Sequence, residues 1–282
     1  MTPPFRARPQ TAGPRVTNFT ARYGPWSCVL GAAQGIGFAF AEELARSGLN
    51  VLLVDVRDDL LDAAGDRVRA ANAAVEVETA RLDLAASDLA ERLPRVLGRL
   101  DVGLAVYTAM LPLSGAFLAQ PLARHEQAVR VGVNGVLAAS HVLGERLVRR
   151  GRGGLVLTSS LAGYQGTAWV AEYAAAKAFD LVLAEGLWWE WRDQGVDVVA
   201  LCPGNTDTPG LRGNKPLVDP STFADPASVA REALDHLTNA REAGPICIPG
   251  ADNRAVRAQF DRMPRKQVVE IIGASTRKMF EG

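Results

Sequence analysis

Short apolar runs alternate along this chain with longer stretches that carry one apolar face. The runs are Trp26–Leu30, Asn50–Asp55, Val75–Leu82, Val102–Tyr107, Leu155–Thr158, Val196–Cys202 and Ile246–Ile248. Between them, helical composition covers Phe38–Ser47 (stopped by Gly48), Asp58–Ala71, Ser87–Leu97, Ala123–Arg149, Val170–Gln194 and Pro226–Asn239. Continuous apolar runs of strand length, each followed by a helix, predict a parallel sheet covered on both faces. The expected fold is therefore α/β: one doubly wound, seven-stranded parallel sheet with right-handed crossovers and flanking helices. No internal repeat or second domain is needed, so residues 23–250 read as one domain. Residues 1–22 hold Pro and Arg without periodicity and are expected to form a loose arm. Residues 203–225 are rich in Pro, Gly and Asn and read as a mobile loop; residues 251–282 read as a helical extension broken at Pro264.

The first strand runs straight into Gly31-Ala32-Ala33-Gln34-Gly35-Ile36-Gly37 and then into a helix. That context makes a glycine pattern a phosphate site. Free N–H groups and the dipole at a helix start favour an anion, and glycines let a pyrophosphate approach the backbone. The next strand ends in Asp55, about twenty residues on, where a carboxylate can accept hydrogen bonds from an adenosine ribose. It would repel a 2′-phosphate, which favours NAD over NADP. Neither Gln34 nor Val56 supplies a basic side chain, although Arg57 lies two residues beyond Asp55. The candidate cofactor set from these stretches is Gly31, Ala33, Gln34, Gly35, Ile36, Gly37, Asp55 and Val56. A solvated strand end is the plainer reading of Asp55.

A second stretch, Gly153 to Lys177, carries candidate chemistry. The strand there ends in Ser159-Ser160, and a helix after a short turn holds Tyr173 and Lys177. Residues spaced i, i+4 share a helix face. A tyrosine beside a fixed ammonium has its phenolate favoured, which suits it to move a proton at a hydroxyl or carbonyl. Taken alone, Tyr-x-x-x-Lys is a weak motif, and a surface lysine over a half-buried tyrosine gives the same pattern.

Composition narrows the classes. The 282 residues carry no formal net charge, and basic residues are not massed in one segment, so no nucleic-acid footprint is evident. The cysteines Cys28, Cys202 and Cys247 lie in apolar runs without metal-type spacing and read as buried free thiols. No run approaches the ~20 apolar residues of a membrane span. The start of the chain has no apolar core of a signal peptide. A soluble cytoplasmic protein without a metal is expected.

With the glycine turn, Asp55, Ser160, Tyr173 and Lys177 in place, residues 23–250 resemble the short-chain dehydrogenase/reductase family, which implies a Rossmann fold and an NAD(P)-dependent oxidoreductase. The family's T-G-x-x-x-G-I-G is matched from Leu30 to Gly37, with Leu30 at the threonine. The resemblance implies that Asp83 and Leu84 contact adenine, and that Thr108 and Ala109 lie beside the cofactor. It further implies that Pro203, Gly204, Thr206 and Thr208 hold the nicotinamide amide. It makes Asn134, Ser160, Tyr173 and Lys177 the catalytic set, Asn134 through a water linked to Lys177. The family's N-N-A-G falls on Tyr107-Thr108-Ala109-Met110, a departure at residues that brace the central sheet. The phrase Arg22-Tyr23-Gly24-Pro25-Trp26 resembles the branch with hydroxysteroid and 3-ketoacyl reductases.

The implied reaction interconverts a hydrophobic secondary alcohol and its ketone. Tyr173 serves as general acid/base, with Lys177 supporting it and holding the cofactor ribose, and Ser160 orients the substrate oxygen. Leu111, Leu113, Phe117, Leu161, Tyr164, Trp169 and Leu211 are candidates for an apolar pocket wall. Ser160 could instead cap a turn, Asn134 satisfy a helix break, and Thr206 and Thr208 serve the turn alone. Trp188, Trp189 and Trp191 read as packing or subunit contact, and the family implies a homodimer or homotetramer. A non-catalytic NAD-binding or regulatory protein on the same fold is the alternative.

Overall fold

The computed structural model describes residues 16–213 and 220–280. In chain order the elements are α1 (Val16–Tyr23), β1 (Trp26–Leu30), α2 (Gly35–Arg46), β2 (Asn50–Asp55), α3 (Asp58–Ala71), β3 (Val77–Arg81), α4 (Leu89–Leu97) and β4 (Val102–Tyr107). There follow α5 (Leu122–Val129), α6 (Val136–Arg150), β5 (Gly153–Thr158), α7 (Ala171–Trp191), β6 (Val196–Leu201) and α8 (Pro209–Gly213). The described chain closes with α9 (Pro226–Leu237), α10 (Ala240–Ala243), β7 (Ile246–Cys247), α11 (Ala251–Phe260) and α12 (Arg265–Phe280).

The seven strands form one parallel sheet in the order β3-β2-β1-β4-β5-β6-β7. β1, β4, β5 and β6 are buried at every residue, which is why they read as unbroken apolar runs. Alternate residues feed opposite layers. Val29, Leu53, Leu104, Val106 and Val199 pack with α2, α3 and α9, while Leu30, Val54, Ala105, Leu155 and Leu157 pack with α4, α6 and α7. The strand order reverses between β1 and β4, which opens a crevice at the carboxyl edge of the sheet.

Two expectations change. Residues 16–22 are not a loose arm: α1 covers them, Phe19 packs on the core, and Tyr23 and Arg22 bond the buried Asp197 at 2.8 and 2.5 Å. Its eight residues are too short for a period to stand out, and docking stabilises the helix. Within residues 203–225, α8 and a parallel bridge Thr206–Ala224 replace part of the expected loop. Residues 1–15, 214–219 and 281–282 lie outside the described residues, and with them part of the expected arm, mobile loop and tail. The extension is helical and interrupted at Pro264 as expected.

Candidate active site

The glycine turn sits at the carboxyl end of β1. Gly31 adopts φ 90°, and a Cβ there would lie 2.7 Å from the Ala109 nitrogen. Gly35 adopts φ 61° as α2 begins, so both positions demand a residue without a side chain. Gln34 is the extended residue before α2, and Ile36 packs partly against the core. Thr108 explains how the chain manages without the family asparagines. Its hydroxyl donates toward the carbonyls of Leu30 and Gly31, 3.0 Å from each, so one side chain ties the end of β4 to the turn.

Asp55 is buried at the end of β2, and both of its oxygens are engaged. Oδ2 accepts from the Ala33 N–H at 3.0 Å; Oδ1 accepts from the Val56 and Arg57 N–H groups and from Arg57 Nε at 3.3 Å. The carboxylate thus holds the glycine turn in place and carries a half-exposed guanidinium beside it. Val56 is 47% exposed at the same edge. Asp83 accepts from the Ala85 N–H, and Leu84 is buried beside it. Opposite the turn, the Thr208 methyl is 3.2 Å from where a Gly35 Cβ would stand, so the segment after β6 reaches over the start of α2. The Thr208 hydroxyl accepts from the Leu211 N–H, and Thr206 donates to the Gly204 carbonyl. Both threonines therefore serve their turn. Pro203 accepts from the Leu161 N–H, joining the ends of β5 and β6. These residues form a cradle of the shape and donor set that a dinucleotide needs.

Beside that cradle, Lys177 Nζ lies 5.8 Å from the centre of the Tyr173 ring. The ammonium is buried; it donates to the Thr158 carbonyl at 2.6 Å and to Asp180 Oδ2 at 2.9 Å. Burial works to lower its pKa, but the Asp180 carboxylate and Tyr173 outweigh it, and the net shift is upward. Ser160 accepts from the Ala162 N–H at 3.2 Å as the cap of a 3₁₀ turn, Leu161–Tyr164. An oxygen used as acceptor keeps its own hydrogen for a substrate. Ser159 bonds the Lys177 carbonyl at 2.6 Å, and a Cβ on Gly163 would lie 2.7 Å from the Lys177 carbonyl carbon. Those two contacts fix α7 against the end of β5.

Asn134 lies on the segment that links β4 to β5. It is exposed on a π-helical segment, Arg130–Gly135, between α5 and α6. Of its two buried residues, Gly135 and Gly132, the latter packs against Met110 and α7. A Cβ there would lie 2.5 Å from Met110 Sδ and 3.3 Å from the Ala176 methyl. Met110 and Ala176 therefore pack closely on Gly132. Tyr107 bonds the Val131 carbonyl at 2.7 Å and steadies the π-helical segment.

Sequence reasoning gave the C-terminal helices no part in the site. Arg257 stacks 4.0 Å from the centre of the Tyr164 ring, Arg277 lies 5.9 Å from that of Trp169, and Asn253 packs against Gly204. Trp169 is the one non-glycine residue with positive φ (61°) among the described residues, a strain of about 1–3 kcal/mol. Its carbonyl accepts from the Gly115 N–H across the entrance. Of the tryptophan run, Trp188 donates to Ala240 and Trp191 packs on Gly144, while Trp189 is exposed. The three cysteines are free and buried, and burial pushes the Cys202 thiol up to about 11. No metal-type cluster and no helix long and apolar enough to cross a membrane occur among the described residues.

The family model for short chain dehydrogenases matches residues 26–216, which span the cradle and the Tyr173–Lys177 pair. The chain belongs to the short-chain dehydrogenase family. This short-chain dehydrogenase is 32% identical to a 7beta-hydroxysteroid dehydrogenase of Clostridium sardiniense over 94% of this chain and 98% of that one. It is 34% identical to a 1-deoxy-11-beta-hydroxypentalenate dehydrogenase of Streptomyces exfoliatus, over 74% of this chain and 76% of that one. A solved 7beta-hydroxysteroid dehydrogenase superposes with a TM-score of 0.82 at 28% identity, covering 90% of this chain and 99% of that chain. A short-chain dehydrogenase from Sphingobium yanoikuyae in complex with NADPH shares the fold, with a TM-score of 0.73 at 24% identity over 86% and 97% of the two chains.

Proposed function

We propose that this short-chain dehydrogenase interconverts a bulky, hydrophobic secondary alcohol and its ketone with NAD or NADP, Tyr173 acting as general acid/base. The observation that carries this reading is the buried, upward-shifted Lys177 ammonium within 5.8 Å of the Tyr173 ring. Gly31, Gly35, Gly37 and the first turn of α2 hold the pyrophosphate, and Asp55 with Val56 meets the adenosine ribose. Thr206, Thr208 and Pro203 border the nicotinamide end. A nicotinamide bound there supplies or accepts the hydride. Tyr173 takes the proton from the alcohol, or gives it to the ketone, and Ser160 donates a hydrogen bond to the same oxygen. Tyr164 and Trp169, each beside an arginine of the C-terminal helices, are the side chains assigned to an apolar wall for a bulky substrate, in line with the hydroxysteroid and hydroxypentalenate named for the relatives.

The test is NAD(P)H absorbance over a panel of hydroxysteroids, terpenoid alcohols and small alcohols. Turnover concentrated in the bulky members supports the reading. Cofactor binding with no turnover across the panel sinks it, in favour of a non-catalytic dinucleotide-binding protein.

Choice of cofactor turns on the Asp55–Arg57 pair. Asp55 favours the free ribose hydroxyls of NAD, while Arg57, already at the strand end, offers a guanidinium to a 2′-phosphate. Arg57→Ala is expected to weaken NADP(H) about ten- to a hundredfold, in line with a charge-assisted contact of about 1.5–3 kcal/mol, and to leave NAD(H) unchanged. Equal Kd changes for the two dinucleotides, measured by fluorescence titration, would refute that role. A homodimer or homotetramer would cover the exposed Val182 and Trp189 on α7. Light scattering reads that state, and a monomer at micromolar concentration rules it out.

A further inference from the structure

Lys177 and Asp180 form an ion pair whose side chains are 3% and 1% exposed. A buried ammonium is stable as a cation only when paired and hydrogen-bonded, because burial disfavours its charge. Toward Ala176 on α7 the π-helical segment presents Gly132, which carries no polar side chain. Nζ instead finds the Thr158 carbonyl at the end of β5 and the Asp180 carboxylate one turn further along its own helix.

We propose that Asp180 is a positioning residue for proton transfer, fixing the Lys177 ammonium against the end of β5 and keeping it charged beside Tyr173. This inference rests on the reading of Tyr173 and Lys177 given above.

The arrangement separates the opposing charges. Tyr173 and Asp180 are seven residues apart on α7, about 10 Å along the axis. Lys177 stands between them, so the cation acts on the phenol at shorter range than the carboxylate does. Burial lifts the Asp180 carboxyl to about 6 against the pull of Lys177, so the pair is ionic above that pH. The other groups that face Asp180 are Tyr107 from β4 and Cys202 at the end of β6, both shifted upward by burial and so neutral near pH 7. Asp180 Oδ1 and Thr158 Oγ1 are also buried and lack a protein partner. Lys177 is thus the one cation bonded to this carboxylate among the described residues.

The deciding measurement is the titration of Lys177 itself. The chain holds four lysines, Lys177, Lys215, Lys266 and Lys278, so ¹³Cε-lysine NMR resolves each, and the Lys177→Met variant assigns the signal. In the wild-type protein Lys177 should titrate above an ordinary lysine. In Asp180→Asn it should titrate at least about one pH unit lower, since desolvation then acts alone. The ascending limb of the pH–rate profile for alcohol oxidation should move to higher pH, because an ammonium no longer anchored by Asp180 stabilises the Tyr173 phenolate less. A shift of about one to two units lowers turnover at pH 7 by about ten- to a hundredfold. Asp180→Glu should restore the limb. An unchanged Lys177 titration in Asp180→Asn overturns the proposal. So does an unchanged pH profile when Tyr173→Phe has abolished turnover. If Tyr173→Phe keeps its turnover, the acid/base reading fails instead, while the NMR titration still judges the pair. Should Asp180→Asn be recovered unfolded, the double variant Lys177→Met/Asp180→Asn decides. It should fold with a higher Tm than either single variant, since both buried charges are gone. A double variant no more stable than Asp180→Asn contradicts an ionic pair.

Discussion

Tyr173→Phe should abolish alcohol oxidation and ketone reduction while leaving the protein folded and the dinucleotide bound. The substitution removes one oxygen and keeps the ring that packs beside Lys177. The loss therefore falls on proton transfer alone. A positioned acid/base contributes about 10²–10⁴-fold, so kcat should fall by at least about 10² with little change in cofactor Kd. Ser160 still donates to the substrate oxygen, which is why substrate binding should survive. Steady-state kinetics with the best alcohol of the panel, together with dinucleotide titration, checks this. A kcat within tenfold of wild type would remove Tyr173 from the chemistry. The contrast with Asp180→Asn is informative, because that variant retains the phenol and should shift the pH profile rather than erase turnover.

Gly37→Ala should damage both stability and cofactor binding, and for a reason unrelated to backbone freedom. Gly37 lies in the first turn of α2, where any residue can adopt the conformation. The obstacle is space: a Cβ would overlap the Gly31 carbonyl oxygen and stand 2.5 Å from Thr108 Oγ1. The first obstacle is backbone of the glycine turn itself, and the second is the hydroxyl that bonds Leu30 and Gly31. Neither can rotate away without breaking the link between β1, β4 and α2. Overpacking of a filled site costs about 1–3 kcal/mol, and a rigid backbone obstacle puts this case at the upper end. Tm should fall by about 6–12 °C, and dinucleotide affinity should drop at least tenfold as the turn is displaced. Gly166, with open space around its missing Cβ, is the control: Gly166→Ala should leave both unchanged. Equal thermal scans for Gly37→Ala and wild type would show that α2 can retreat from the turn.

What was readable in advance follows from the range of the interactions. Strand, glycine turn and helix are consecutive, as are the end of β5, its turn and α7, so the cradle and the Tyr173–Lys177 spacing were visible as local patterns. Burial on both faces left β1, β4, β5 and β6 as plain apolar runs, which made the sheet legible. That Gly132 is buried against Met110 and Ala176 while Asn134 is exposed was not legible, because a run of residue letters does not say which of them tertiary packing covers.

The sequence by itself thus determined the α/β order, the glycine turn, the acidic end of β2 and the tyrosine–lysine pair, since each is written within a few consecutive residues. Tertiary structure alone decided that Asp180 is buried against Lys177, that Arg57 folds onto Asp55, and that Thr108 takes over the bracing of the turn. It also decided that Arg257 lies over the Tyr164 ring and Arg277 beside that of Trp169. Each of these depends on burial or on contact between segments far apart in the chain, and neither is encoded in the spacing of residue types.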